Sequence, residues 1–188
     1  MKKIFVFFLF ALSSCGIPYC RKSHLSEEEL KWVEVYNVKD TVMFYNDNMC
    51  DTMIVSNKEI DNKSFISPFD LKSCNWLEGE TEYNAIASVS FKIKHHNNFS
   101  WWDGGFIITK NQDQTFSIMV DFGGLYSDDI NLSNHHDTCL YIIDGKNAAQ
   151  GSNQPLLQIN QIIWSKKNGL VGYRFKDGRY YTRRFKNE

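Results

Sequence analysis

Alternation of apolar and polar residues runs through most of the chain and predicts β-strands. It is clearest in AIASVSFKIK at residues 85–94, where every second side chain from Ala87 to Ile93 is apolar and Ser or Lys stands between them. This period of two puts one face of a strand in a core and the other in water. Further strands are predicted over 41–45, 49–57, 106–110, 115–122, 138–143, 156–164, 170–175 and 179–185.

Short turn sequences join most of these strands. Asn46-Asp47-Asn48 separates the first pair, and Asp177-Gly178 the last. Such residues tolerate the backbone conformations that tight turns require. Residues 61–84 and 123–137 are predicted as longer loops. We therefore expect a mainly β fold, with antiparallel meander sheets forming a β-sandwich or a barrel-like domain that leaves few open edges.

One short helix is predicted before the strands, over residues 27–33. Ser26 and Glu29 have the spacing of a capping box, and Leu25 and Leu30 that of a hydrophobic staple. We expect Leu30 and Val33 to pack on the domain.

The first 14 residues have the pattern of a secretory signal. Lys2 and Lys3 precede the apolar run IFVFFLFAL at 4–12. At about 1.5 Å per residue, so short a helix cannot cross a hydrocarbon core of about 30 Å. The run is therefore interpreted as a signal segment.

The sequence Leu12-Ser13-Ser14-Cys15 resembles the lipobox of bacterial lipoproteins. The resemblance implies that Cys15 receives a diacylglycerol, that the chain is cleaved before it, and that its new amine is acylated. Several acyl chains would anchor the protein stably in a membrane. The expected organisation is a signal peptide at 1–14, a lipidated tether at 15–24 and a single β-rich domain at 25–188.

The residues after Cys15 bear on location. Gly16 stands where aspartate retains proteobacterial lipoproteins in the inner membrane, which favours the outer membrane. Surface-exposed lipoproteins of the Bacteroidetes often carry an acidic run here, whereas GIPYCRKSH is basic. The periplasmic and cell-surface sides therefore both remain open.

The overall charge excludes one large class of function. With 21 basic and 22 acidic residues the formal charge is −1, which does not favour nucleic-acid binding. Phosphate-binding loops, nucleophile elbows and zinc-protease motifs are also missing from the sequence. The absence of these motifs favours a protein that is not an enzyme.

Four cysteines remain besides the lipobox residue, namely Cys20, Cys50, Cys74 and Cys139. In an oxidising compartment they could form two disulfides, and the sequence does not fix the pairing. Some of them could equally be free, buried thiols.

Several segments together resemble small lipoproteins of unknown function from the Bacteroidetes. They are the lipobox, LSEEELKWV, KDTVMFYNDNMCDTMIV and the C-terminal IIWSKKNGLVGYRFKDGRYYTRR. The resemblance implies location and β architecture but no activity. In this group Asp-Ser/Thr followed by a small or aliphatic residue or Met signals O-glycosylation, and Thr41 and Thr52 match it. Both threonines could instead serve only as strand formers.

A candidate ligand-binding segment is Trp101-Trp102-Asp103, followed by two glycines. Adjacent indoles could stack on sugars while Asp103 accepts hydrogen bonds from hydroxyl groups. The alternative is that one indole enters the core and the other covers an edge.

Two histidine pairs come nearest to a metal-binding set, His95-His96 and His135-His136. Neighbouring residues of a strand point to opposite faces, and both pairs lie among residues typical of solvated turns. We therefore predict no metal site and no cofactor.

The C-terminal strands are basic, which suggests either contact with lipid phosphates or acidic glycans, or protection of an edge strand by charge. Their cationic residues are Lys166, Lys167, Arg174, Lys176, Arg179, Arg183, Arg184 and Lys186.

The sequence thus predicts a lipid-anchored envelope protein that acts as a non-catalytic binding or interaction module. Its expected partners are the membrane, through the N-terminal lipid, and an envelope protein or a glycan. The alternatives are an envelope hydrolase acting on glycans and a purely structural envelope component.

Overall fold

A computed structural model describes residues 21–63, 82–96, 101–122, 125–131, 141–144 and 159–185. The signal segment and Cys15 lie outside these residues. So do His135, His136 and three of the cysteines, Cys20, Cys74 and Cys139. The predictions made for them stay predictions.

The described chain is built of strands and one helix. In chain order the elements are β1 (Arg21–Lys22), α1 (Glu27–Glu34), β2 (Thr41–Asn46), β3 (Met49–Asp61), β4 (Glu82–Tyr83), β5 (Ala85–Lys94), β6 (Trp101–Lys110), β7 (Phe116–Phe122), β8 (Leu125–Asn131), β9 (Tyr141–Asp144), β10 (Ile159–Ser165), β11 (Gly169–Phe175) and β12 (Tyr180–Arg183).

Ten of these strands form one antiparallel sheet. Its order is β8-β7-β6-β5-β3-β2-β12-β11-β10-β9, while β1 and β4 make a separate short parallel pair. The sheet curls so that β8 approaches β10, which gives a nearly closed, barrel-like form. The predicted mainly β, antiparallel, barrel-like fold with one helix is confirmed.

Helix α1 begins at the predicted capping box. The backbone N–H of Glu29 donates to Ser26 Oγ at 3.3 Å, and the N–H of Ser26 donates to Glu29 Oε2 at 2.8 Å. Leu25 is buried and Leu30 packs against the core. Val33 is buried as expected. The sequence thus fixes the start of this helix by local hydrogen bonding.

Aromatic side chains hold the helix against the buried face of the sheet. Trp32, which the prediction omitted, is buried and stacks on Phe106 with the ring centroids 6.1 Å apart. Phe106 in turn stacks on Trp164 at 4.0 Å, and the Trp164 indole N–H donates to the carbonyl of Trp32 at 3.1 Å. The helix is therefore joined to β6 and β10 by packing and by a buried hydrogen bond.

The structure corrects two predicted boundaries. Strand β6 begins at Trp101 and not at Phe106 as predicted, because the preceding residues pair with β5 and the two glycines pair with β7 as well. The ring of Phe91 fills the space beside Gly104, where a side chain would not fit. Residues 125–131, which fall within the predicted loop at 123–137, form β8 through backbone pairing with β7.

The basic C-terminal strands do not lie at an edge of the sheet. Strands β11 and β12 are interior members, so the interpretation of their charges as edge protection is wrong. Instead, cations lie over aromatic rings. Arg184 is 4.4 Å from the ring centroid of Tyr45, and Arg174 is 5.5 Å from that of Tyr180. Contact with lipid phosphates or acidic glycans stays a prediction.

We expect Gly104→Ala to lower the free energy of unfolding by about 1–3 kcal/mol, the usual cost of overpacking a core. The new Cβ would lie 2.4 Å from Cε2 of Phe91. That ring cannot move easily, because it is buried between Phe122 and Trp164. Chemical denaturation of the purified protein measures the change.

The neighbouring glycine is a matched control. A Cβ at Gly105 would have the carbonyl oxygen of Val89 as its nearest atom, at 3.7 Å, which is an ordinary contact. Gly105→Ala should therefore change stability by less than about 0.5 kcal/mol. Equal effects of the two substitutions would contradict the packing described here.

Candidate functional site

A buried carboxylate on β3 is the centre of the candidate site. Asp51 shares the inward face of β3 with Met53 and Val55, which are both apolar and buried. The Asp51 side chain is itself 0 % exposed. An ionised group in such a place is costly unless it is paired or hydrogen-bonded, so its neighbours decide what it can do.

Four donor contacts surround this carboxylate. Oδ2 lies 2.6 Å from His95 Nδ1 and accepts a hydrogen bond from the hydroxyl of Tyr173 at 2.6 Å. Oδ1 accepts from the backbone N–H of His96 at 3.0 Å and lies 3.1 Å from His96 Nδ1. The hydroxyl of Tyr181 lies 3.2 Å from the same Nδ1. We call Asp51, His95, His96, Tyr173 and Tyr181 the Asp51 cluster.

The two histidines meet at one carboxylate because they follow the strand. Strand β5 ends at Lys94, and the chain turns at His95 and His96. The expectation that adjacent histidines point to opposite faces holds only within a strand, and it is wrong here. Both imidazoles approach Asp51, and their ring centroids are 4.2 Å apart.

Aromatic rings enclose His95. Its ring centroid lies 5.5 Å from those of Trp102, Phe175 and Tyr181. Strands β6, β11 and β12 supply these rings, so the cluster is lined from several sides of the curled sheet. Such a surrounding excludes water and strengthens the polar contacts within it.

Burial and hydrogen bonding act in opposite directions on the pKa of Asp51. Burial alone would raise it, but hydrogen bonds from His95, Tyr173 and the His96 backbone outweigh burial, so the pKa of Asp51 is lowered. Burial and the nearby Asp51 charge raise the pKa of Tyr173 well above its usual value. The same two causes raise the pKa of Tyr181 to about 12. At neutral pH the cluster therefore contains a carboxylate and two neutral phenols.

One nitrogen of the cluster has no hydrogen-bond partner among the described residues. His96 Nε2 is buried and unpaired there, although the histidine side chain as a whole is 17 % exposed. A buried nitrogen of this kind needs a donor, an acceptor or a cation. The arrangement can therefore hold a small ligand or a cation through side chains already in place.

The structure separates the residues of the predicted Trp101-Trp102-Asp103 platform. They lie on strand β6, where Trp101 and Asp103 are exposed and Trp102 packs against the core. The indoles therefore do not form one continuous surface. Lys94 lies over the ring of Trp101, and Lys92 Nζ is 3.8 Å from Asp103. Binding of a sugar to the exposed pair stays a prediction.

The candidate glycosylation sites lie on adjacent strands. Thr41 on β2 is exposed, and Thr52 on β3 is half-buried. The aspartate that precedes Thr52 in the signal is Asp51, which the structure places inside the sheet. Asp51 thus belongs to the buried Asp51 cluster. Modification of either threonine stays a prediction.

The one cysteine in the described part of the chain, Cys50, carries a free thiol. Burial raises the pKa of this thiol, and the charge of Asp51 adds to the effect. Cys50 therefore forms no disulfide within the described residues, and pairing that involves Cys20, Cys74 or Cys139 stays a prediction.

Sequence reasoning missed Asp51, Tyr173 and Tyr181 as site residues. A signal for Asp51 was available, because it is the acidic member of an otherwise apolar face, with Met53 and Val55 at the next two inward positions. No such signal marks the two tyrosines, because their meeting with Asp51 depends on how the sheet curls.

No protein-family model, curated protein or solved structure matches the chain. In the part of the chain that the structure describes, no helix is both long enough and apolar enough to span a membrane.

We expect Tyr173→Phe to lower the free energy of unfolding by about 1–3 kcal/mol, because it removes a hydrogen bond to a buried charge. The ring and its packing are kept, so the change isolates the hydroxyl. Denaturant unfolding at neutral pH measures this change in the free energy of unfolding.

Tyr180→Phe on neighbouring β12 is the control. Tyr180 is half-buried outside the Asp51 cluster, and its change should stay within about 0.5 kcal/mol. Equal losses in both variants would contradict the assignment.

Proposed function

We propose that the chain is a lipid-anchored protein of the cell envelope, attached through Cys15, and that its barrel-like domain is a non-catalytic binding module. The Asp51 cluster is its binding site. The membrane is one partner through the N-terminal lipid, and an envelope protein or a glycan is the other. The outer membrane is the proposed location, and nucleic acid is not a proposed partner.

The hydrogen bonding of Asp51 is the observation that carries the non-catalytic role, because both of its carboxylate oxygens already accept hydrogen bonds. General acid–base catalysis works best with groups whose pKa lies near the working pH. In the cluster the pKa of Asp51 is lowered and the pKa of Tyr181 is raised to about 12, so both move away from neutrality. The carboxylate is also occupied by its donors, which makes it a weak base.

The number of carboxylates at the site also favours a non-catalytic role. A glycosidase of the usual kind needs two carboxyl groups about 5–10 Å apart across the bond that it cleaves. Within the Asp51 cluster, Asp51 is the one carboxylate, so this cluster lacks such a pair. The cluster is therefore better suited to binding than to glycan hydrolysis.

The anchor is proposed from the order of features in the sequence. A basic start, an apolar run and small residues precede Cys15 within the first 15 positions. The first described strand, β1, starts at Arg21, and five residues of the sequence lie between Cys15 and this strand. The domain would therefore lie close to the membrane surface.

Metabolic labelling with a palmitate analogue in the native host tests the anchor. We expect the wild-type protein to incorporate the label and to fractionate with membranes, and Cys15→Ser to lose both properties, because the thiol is the proposed attachment point. Cys20→Ser, five residues further on, is the matched control and should keep both. Labelling that survives in Cys15→Ser would contradict the proposal.

A further inference from the structure

We propose that the Asp51 cluster binds one divalent transition-metal ion of the zinc type, with Asp51, His95 and His96 as its ligands. The inference rests on the proposed function in one respect, namely that this cluster is the binding site of the module. It replaces the sequence-based expectation that the chain has no metal site.

The identity of the donors supports a metal of this type. Zinc sites in proteins are made from histidine nitrogens, carboxylate oxygens and thiolates, most often with four ligands. Two imidazoles and one carboxylate leave a fourth position that a donor group of the bound partner could fill. A hard cation such as Mg²⁺ prefers oxygen ligands and is a poorer match to two histidines.

The spacing of the donors supports a single ion. One ring nitrogen of each histidine and one carboxylate oxygen of Asp51 all lie within 4.8 Å of one another. Zinc bound at about 2.0–2.1 Å holds its tetrahedral ligands about 3.3 Å apart. The observed spread of up to 4.8 Å exceeds this spacing, so the imidazoles would rotate to bring all three donors onto one ion.

The charge balance supports a cation. Asp51 is fully buried, and its ion-pair contacts among the described residues are with His95 and His96. A buried carboxylate of this kind is stable only when a compensating charge or hydrogen bonds are supplied to it. A divalent ion would supply a compensating positive charge. It would also bind ring nitrogens of His95 and His96.

The unpaired nitrogen of His96 is an independent observation. Its Nε2 atom is buried and has no hydrogen-bond partner in the part of the chain described. If His96 carries its proton on Nδ1, as donation to the carboxylate requires, then Nε2 has a free lone pair. After rotation of the ring, this lone pair could bind a metal ion. In the present arrangement, with Nδ1 bonded to Asp51, the lone pair of Nε2 makes no hydrogen bond.

Tyr173 is suited to hold the proposed ligands in position. The hydroxyl of Tyr173 donates to Asp51 Oδ2 and keeps this carboxylate oriented. Contacts of this kind around metal ligands fix their orientation and tune the affinity of the site. Tyr173 is thus a positioning residue and not a ligand.

Zinc titration of the purified full-length chain in detergent tests the proposal. We expect one equivalent of Zn²⁺ to bind and to raise the midpoint of thermal unfolding by about 5 °C or more at a hundredfold excess over its Kd. Addition of a chelator should reverse the shift. Co²⁺ in place of Zn²⁺ should give the visible absorption of a tetrahedral site with nitrogen and oxygen ligands.

Histidine variants locate the ion. His96→Gln should abolish both the thermal shift and the Co²⁺ absorption, and its partial exposure makes the substitution tolerable to the fold. His95→Gln is the second variant and should have the same effect. The exposed His24 provides a control, because His24→Gln should bind Zn²⁺ like the wild type.

Three results would overturn the proposal. The first is the absence of zinc binding to the wild type, which would leave a proton-bridged hydrogen-bond network. The second is a shift that persists in both His95→Gln and His96→Gln. The third is a shift that disappears in a His135→Gln, His136→Gln double variant but not in His96→Gln. Because the titration does not depend on lipidation, its failure is distinguishable from failure of the Cys15 labelling test.

Discussion

The hydrogen bonding of one buried carboxylate is the constraint on which the interior depends. Asp51 lies on β3, yet its donors come from the end of β5 and from β11, which stands three places away from β3 in the sheet order. The carboxylate can be satisfied only if the sheet curls enough to bring these strands together. An uncompensated charge in this place would cost several kcal/mol, so the polar cluster favours the curled form over flatter arrangements of the same strands.

Aromatic packing occupies much of the remaining interior, together with aliphatic side chains such as Val89, Ile108 and Ile162. Phe106 and Trp164 stack with centroids 4.0 Å apart, and Trp164 connects this stack to the helix through its hydrogen bond to Trp32. Large rings bury much apolar surface with few rotatable bonds, so they fill a curled sheet at modest entropic cost. The absent side chain of Gly104 is part of the same packing, because it leaves room for the ring of Phe91. The domain thus combines a polar cluster and an aromatic core inside one sheet.

Much of the fold could be predicted from local sequence, and the site could not. The capping box of Ser26 and the alternation of residues 85–94 act over a few positions, so both appear in the structure where the sequence places them. The start of β6 at Trp101 was missed because strand pairing and the Phe91 ring compensate for weak strand formers. The contact of Asp51 with Tyr173 joins residues 122 positions apart, and only the topology of the sheet creates it. Of the proposed metal ligands, the sequence already singled out His95 and His96 as a candidate pair, whereas the pairing of β3 with β5 is what brings Asp51 to them.

The central claim is that Asp51 and its donors act as one unit, and a double-mutant cycle tests it most directly. The free energy of unfolding is measured for the wild type, Asp51→Asn, Tyr173→Phe and the double variant at neutral pH without metal. Coupled residues deviate from additivity by about 0.5–3 kcal/mol. We predict a coupling of at least about 1 kcal/mol, because the tyrosine hydroxyl serves chiefly to solvate this charge. Additive effects of the two substitutions would contradict the account.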